Sequence, residues 1–190
     1  MTAPDPYADL TLDELVASAR AGDSGAFARL HDRYVDDVFR YVYLRVGGAD
    51  LAEDLTAAAM LRAHSRIPAF RWPAPEIGAW LVLAARTLIE EQYGVGRYRV
   101  EVDELAGLDP ASLDSLRRLS SDQQECVSLR FLQGFSVAAT ARILEVKPAA
   151  VAVLQWQALR SLVPDVGLEL FETTPDERPR PSAHSQESAA

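Results

Sequence analysis

Residues 120–163 read SSDQQECVSLRFLQGFSVAATARILEVKPAAVAVLQWQALRSLV. Ser120-Ser-Asp-Gln123 has the spacing of a capping box, in which a serine hydroxyl and a Gln side chain satisfy each other's backbone N–H groups at a helix start. Gly134 breaks that helix, and Ser136 caps the next. Lys147-Pro148 opens a third, with proline at the first helical position, where its missing N–H costs nothing. Pro164 stops it. Three short helices separated by tight turns form the pattern of a helix-turn-helix, whose last helix enters a DNA major groove. Yet Ala149–Val163 carries one formal charge, Arg160.

Upstream, apolar residues recur at helical spacing and strand signals are nearly absent. Thr11-Leu-Asp-Glu14 is a capping box for a first short helix. Asp23 or Ser24 caps a second, with Phe27, Leu30, Tyr34, Val38, Tyr41 and Val42 on one face, ended by Gly47-Gly48. Asp50 is expected to cap a third, running to about Ile67 and stopped by Pro68. A fourth is expected from about Pro75 to Tyr93, ending at Gly94-Val-Gly96, with Trp80 in the core. Residues 97–118 turn acidic and turn-forming and read as a linker. The expected organisation is a disordered start over 1–9, a helical domain over 10–96, an acidic linker over 97–118, a helix-turn-helix domain over 119–165 and a disordered, Pro- and Ser-rich tail over 166–190. The fold class is all-α, with two helical domains.

The bulk properties narrow the function. Hydrophobic residues make up 48% and charged residues 25% of the 190, as in a soluble globular chain. The longest apolar run, Ile77 to Ile89, is too short to cross a bilayer and contains Arg86. The polar, acidic N-terminus is not a signal peptide, so no membrane role is expected and a cytoplasmic location is. The single cysteine, Cys126, excludes an internal disulfide and reads as a buried thiol; no Cys/His spacing suggests a metal site. The net charge is −9. Residues 120–165 carry four basic and four acidic side chains, and every other segment is acidic, so any DNA binding needs a helper.

Several stretches together resemble a group IV, or extracytoplasmic function (ECF), RNA polymerase sigma factor. They are Ala26-Phe-Ala-Arg-Leu-His-Asp-Arg-Tyr34, Ala52-Glu-Asp-Leu55 with Leu61-Arg-Ala63, and Phe70-Arg71 with Ala79-Trp-Leu81 and Ala84-Ala-Arg86. In the second unit they are Gln124-Glu-Cys-Val-Ser-Leu-Arg-Phe131, Gly134-Phe-Ser136 and Ala141-Arg-Ile-Leu144. The resemblance covers roughly residues 10–163. It implies a four-helix region 2-like bundle joined by the linker to a region 4-like helix-turn-helix domain. It also implies a detachable specificity subunit of core RNA polymerase. The first domain would grip the β′ clamp helices and melt the −10 element, and the second would read the −35 element. An anti-sigma or other regulatory protein would be a further partner. No catalytic residue, metal or cofactor is implied.

Carried onto this chain, the resemblance places polymerase binding at Glu53 and Asp54, which also suit the positive end of a helix dipole. The next two family positions, usually polar, are Ala57 and Ala58. Arg62, His64, Arg66, Arg71, Trp72 and Arg86 are the DNA-facing candidates of the first domain; a solvated basic face is the other reading. Of the family's long basic run after the fourth helix, Arg86, Arg97 and Arg99 remain. In the last helix the family's three basic positions are Ala152, Leu154 and Gln157. Lys147, Gln155, Gln157 and Arg160 are left to contact bases and phosphates. Alternatively, Val153, Leu154 and Trp156 form an apolar patch for a protein partner. Two functions follow: a sigma factor directing promoter recognition, or a sigma-like interaction protein that no longer reads DNA specifically. A simple helix-turn-helix repressor fits less well, because it leaves the first unit unexplained.

Overall fold

A computed structural model describes residues 6–94 and 118–162; the sites 97–117 and 163–190 discussed above, including Arg97 and Arg99, lie outside the described residues. The first unit comprises α1 (Leu12–Arg20), α2 (Ser24–Val46), α3 (Ala49–Arg66) and α4 (Ile77–Tyr93). The second comprises α5 (Ser121–Val127), α6 (Val137–Ile143) and α7 (Pro148–Leu162). No strand occurs among the described residues.

Local chemistry sets most boundaries. The Thr11/Glu14 capping box forms, with the Thr11 N–H donating to Glu14 at 2.8 Å. Asp23 caps α2, accepting from the N–H groups of Gly25 (2.9 Å) and Ala26 (3.1 Å). Gly47 ends α2 in the left-handed region at φ 72°, where a side chain would be strained. The start of α3 corrects the expected cap: Gly48 holds that position without a side-chain bond, and Asp50 lies in the first turn, where its charge still meets the helix dipole. A 3₁₀ turn, Ala74–Glu76, holds the expected start at about Pro75, and α4 itself begins at Ile77. The N-terminal boundary also moves. Residues 6–9 form a turn, and the Tyr7 hydroxyl donates to Asp23 at 2.9 Å.

In the second unit the Ser120/Gln123 capping box opens α5, whose helix widens into a π turn over Ser128–Leu132. Ser136 accepts from the Ala139 N–H at 3.0 Å to cap α6. The turn between α6 and α7 places Glu145 at φ 56°, an unusual left-handed non-glycine residue.

One apolar core runs through both units. Leu15, Phe27, Leu30, Val38, Val42, Leu55, Ile77, Leu81 and Ile89 from the first are continuous with Cys126, Leu129, Ile143 and Val151 of the second. Tyr34 is half-buried, its ring over Gly78, where an added Cβ would come within 3.0 Å of it; Phe135 of the second unit approaches the same point. Trp80 is half-buried rather than fully buried and packs edge-to-face on Phe70, centroids 5.3 Å apart.

Two predictions follow from this packing. Burial pushes the Cys126 thiol up to about 11. At pH 8 a thiol reagent should therefore label Cys126 only as the chain unfolds; native-state labelling at the rate of an exposed thiol would contradict its burial. The Ala26 N–H and the Tyr7 hydroxyl hold the Asp23 carboxyl below its ordinary 3.8. A lowered pKa contributes stability above the unfolded value and loses it as pH falls through the folded one. Asp23→Ala should thus lower the melting temperature at pH 7, and the difference from the parent should vanish towards pH 2.

Candidate functional site

Glu53 and Asp54 project from the exposed side of α3, together with Ala57, Ala58 and Leu61, the last 71% exposed. The opposite side, Ala52, Leu55, Ala59 and Met60, is buried. Helical spacing alone separates the two faces. Between α2 and α3 lies an open groove of about 340 Å³ lined by His31, Val35, Asp36, Phe39, Glu53, Thr56 and Ala57. Its rim is acidic and its floor apolar. The Thr56 hydroxyl lines it, buried and without a hydrogen-bond partner.

The basic side chains of the first unit do not form one free face. Arg62 makes a bidentate pair with Glu91 of α4, at 2.6 and 2.7 Å. That hydrogen bond holds the Glu91 carboxyl below its usual range. His64 is exposed, its ring edge-to-face on Phe27 at 4.8 Å. Arg66 is exposed. Arg71 is exposed too, and donates to the carbonyls of Pro68 and Phe70 at 2.8 Å. Trp72 is half-buried beneath Arg142 of α6, whose guanidinium carbon lies 5.2 Å from the ring centroid.

Arg86 is turned inward, into an ion cluster that joins the two units. Glu125 of α5 accepts at one oxygen from the Tyr41 hydroxyl (2.5 Å), Arg45 (2.6 Å) and Arg86 (3.2 Å). Arg45 also meets Glu90 at 3.3 Å, and Arg86 meets Glu90 at 2.9 Å. The Arg45 and Glu125 side chains are 1% and 4% exposed. Burial and the neighbouring Glu125 hold the Tyr41 hydroxyl well above its ordinary pKa, so it stays a donor. Burial works against the charge on Arg45, but the carboxylates of Glu125 and Glu90 outweigh it and its pKa moves up. At the rim, Arg142 pairs with Glu76, and Arg86 reaches Glu145 at 3.7 Å.

No local pattern in the sequence pairs Glu125 with Tyr41, Arg45 or Arg86. The usable signal was a charge on an apolar stripe. Arg45 follows Tyr41 and Val42 at i+4 and i+3, and Glu125 precedes Ser128 and Leu129 at the same spacings.

On α7, Val151 and Ala158 are buried and Leu154 faces inward, half-buried against the core. Leu154 therefore leaves the expected apolar patch. Gln155 also points inward, accepting from Arg130 at 3.2 Å. The outward face carries Ala152, Val153 (53% exposed), Trp156 (46%), Gln157 and Arg160, with Lys147 exposed just before the helix. Arg160 stacks over Trp156, 5.1 Å from its centroid. Among the described residues no cluster of His, Cys, Asp and Glu could hold a metal ion, and no helix is long and apolar enough to cross a membrane.

Two family models match this arrangement. Sigma-70 region 2 matches residues 30–93, which take in most of α2 and all of α3 and α4. Sigma-70 region 4 matches 113–162, which take in α5–α7. The chain is 45% identical over 167 residues to the ECF RNA polymerase sigma factor BldN of Streptomyces coelicolor; the match takes in 78% of this chain and 63% of that relative's length. It is 26% identical over 163 residues to the ECF sigma factor SigL of Mycobacterium tuberculosis, covering 77% of this chain and 92% of SigL. Among solved structures, the sigma factor RpoE of Bartonella quintana, in complex with the anti-sigma factor NepR, shares the fold at a TM-score of 0.60 and 21% identity, covering 73% of this chain and 94% of RpoE. Region 2 on the first unit, region 4 on the second and the identity to BldN place the chain in the ECF (group IV) sigma-factor family.

Proposed function

We propose that this protein is a sigma factor that binds core RNA polymerase through α3 and directs promoter recognition and transcription initiation, with no catalytic residue, metal or cofactor of its own. The observation that carries this is the co-occurrence of both sigma regions in order on two packed helical units. The groove between α2 and α3 supports the docking role. Its acidic rim, with Asp36 and Glu53, fits the basic face of a helix. The β′ clamp helices are the occupant the family suggests. Promoter contact falls to His64, Arg66 and Arg71 of the first unit and to Lys147, Gln157 and Arg160 of the second. With so few cations, promoter affinity comes mainly through the polymerase complex. RpoE of Bartonella quintana is seen with an anti-sigma factor; we infer that this chain has a regulatory protein partner of the same kind. A cytoplasmic location follows from these roles.

A second reading is favoured by one observation, the outward face of α7. Ala152, Val153 and Trp156 are apolar where base readout needs polar groups. On that reading the chain acts through protein contacts at this face.

Run-off transcription with core polymerase over a promoter library should yield discrete start sites; polymerase binding without any start site would sink the sigma-factor reading in favour of the protein-contact one. Glu53→Lys with Asp54→Lys should weaken binding to core polymerase about tenfold or more, about 1.4 kcal/mol. Arg160→Ala separates the two readings of α7. If Arg160 holds a phosphate, promoter affinity should fall alike for all sequences and the log–log salt slope should drop by about one. An unchanged slope, with Trp156→Ala costing a protein complex about 2 kcal/mol or more, would favour the protein-contact reading.

A further inference from the structure

The outward face of α7 is nearly uncharged, but it is ordered. Ala149, Ala152, Val153, Trp156, Gln157 and Arg160 recur at three- and four-residue spacing, are all exposed, and form one stripe. Leu154 and Gln155 fall outside it, because the first packs on the core and the second accepts from Arg130. At about 1.5 Å per residue the stripe is about 17 Å long, the length of about five base pairs at about 3.4 Å each. No Asp or Glu lies between Pro148 and Leu162, in a chain of net charge −9, and Lys147 and Arg160 stand at the two ends of the stripe. The acid just upstream, Glu145, reaches Arg86 of the first unit at 3.7 Å. An acid-free strip bracketed by cations is complementary to a polyanion.

Duplex DNA offers such a strip one apolar feature in the major groove, the C5-methyl group of thymine. The adenine paired with it offers N6 and N7 to the amide of Asn or Gln. Guanine, by contrast, is met most often by a bidentate Arg or Lys. The one guanidinium of the stripe sits in the last turn of α7, 5.1 Å over the ring of Trp156. Base edges are met by the N-terminal part of a recognition helix, so Arg160 is left to the phosphates and to holding the indole in place. Val153 is 53% and Trp156 46% exposed. They lie three residues apart, about 4.5 Å along the axis, close to the step between neighbouring base pairs. Gln157 follows directly, on the same face.

We propose that α7 reads A·T pairs, with Val153 and Trp156 against thymine methyl groups and the Gln157 amide on adenine, and that it makes no guanine contact. The proposal rests on the sigma-factor reading above and names the class of upstream promoter element which that reading leaves open.

The test uses the full chain with core polymerase. Selection from a promoter library should enrich adjacent A·T pairs in the upstream element. In a selected duplex, replacing the thymines of that element by uracil removes only the methyl groups. Affinity of the polymerase complex should then fall about fourfold per contacted methyl, the worth of one buried carbon. The same change in the spacer should have no effect. Val153→Ala with Trp156→Ala should bind the thymine duplex at least as weakly as the parent binds the uracil one, and should no longer respond to uracil. Replacing adenine by 7-deazaadenine, which lacks the N7 acceptor, should weaken the parent and leave Gln157→Ala indifferent. The substituted side chains are exposed and alanine is a strong helix former, so α7 keeps its fold; the altered bases leave the protein untouched. Discrete start sites with no loss on uracil, or with G·C pairs enriched in the upstream element, would overturn the proposal and leave the sigma-factor reading standing. Polymerase binding without any start site would sink that reading and the proposal with it.

Discussion

Glu125 sends one carboxylate oxygen into a site made by Tyr41, Arg45 and Arg86, and the relation between the two halves of the molecule hangs on that insertion. A single charge from α5 is desolvated only because α2 and α4 supply a hydroxyl and two guanidinium groups around it. Removing either side leaves the other with a buried, uncompensated charge, a far larger penalty than the intact cluster's net gain. Phe135 and Tyr34 approach Gly78 about two turns along α4 from Arg86, so the seam is apolar there. The rim pair of Arg142 and Glu76, with Trp72 beneath, closes the same seam from outside.

The two candidate faces differ in how much they depend on this seam. The exposed side of α3, with Glu53, Asp54 and the groove towards α2, is open with the second unit packed against the first. It can meet a partner first. The DNA-facing candidates divide. His64, Arg66, Arg71, Lys147, Gln157 and Arg160 are solvent-exposed, whereas Arg62, Trp72, Arg86 and Gln155 are engaged by Glu91, Arg142, Glu125 and Arg130. The low basic charge noted in the sequence is thus reduced further by internal pairing. α7 keeps a mostly apolar outward face in either case.

Much of the fold was legible because the signals are local. A capping serine or threonine with Glu or Gln three residues on, a glycine needing positive φ, and a proline at a first helical position each act within one turn of chain. Ser120, Ser136, Thr11, Gly47 and Pro148 all sit where those rules put them. The Asp50 expectation failed for the same local reason. The carboxylate suits both the cap and the first turn, and the extended Gly48 was free to take the cap. Leu154 was grouped with Val153 and Trp156 because three apolar residues within four positions of a helix do not show which is inward; its packing against the apolar core settles that.

The sequence by itself determined the helices, the division into two units and the family, since these rest on periodicity, caps and motif order along the chain. Only the tertiary structure decided which charges are available. Tyr41 and Arg45 lie 84 and 80 residues from Glu125, and Arg142 lies 66 from Glu76. Pairing over such separations leaves no local pattern, because it depends on how two helical units pack and on the low dielectric their contact creates, and neither exists until the chain has folded.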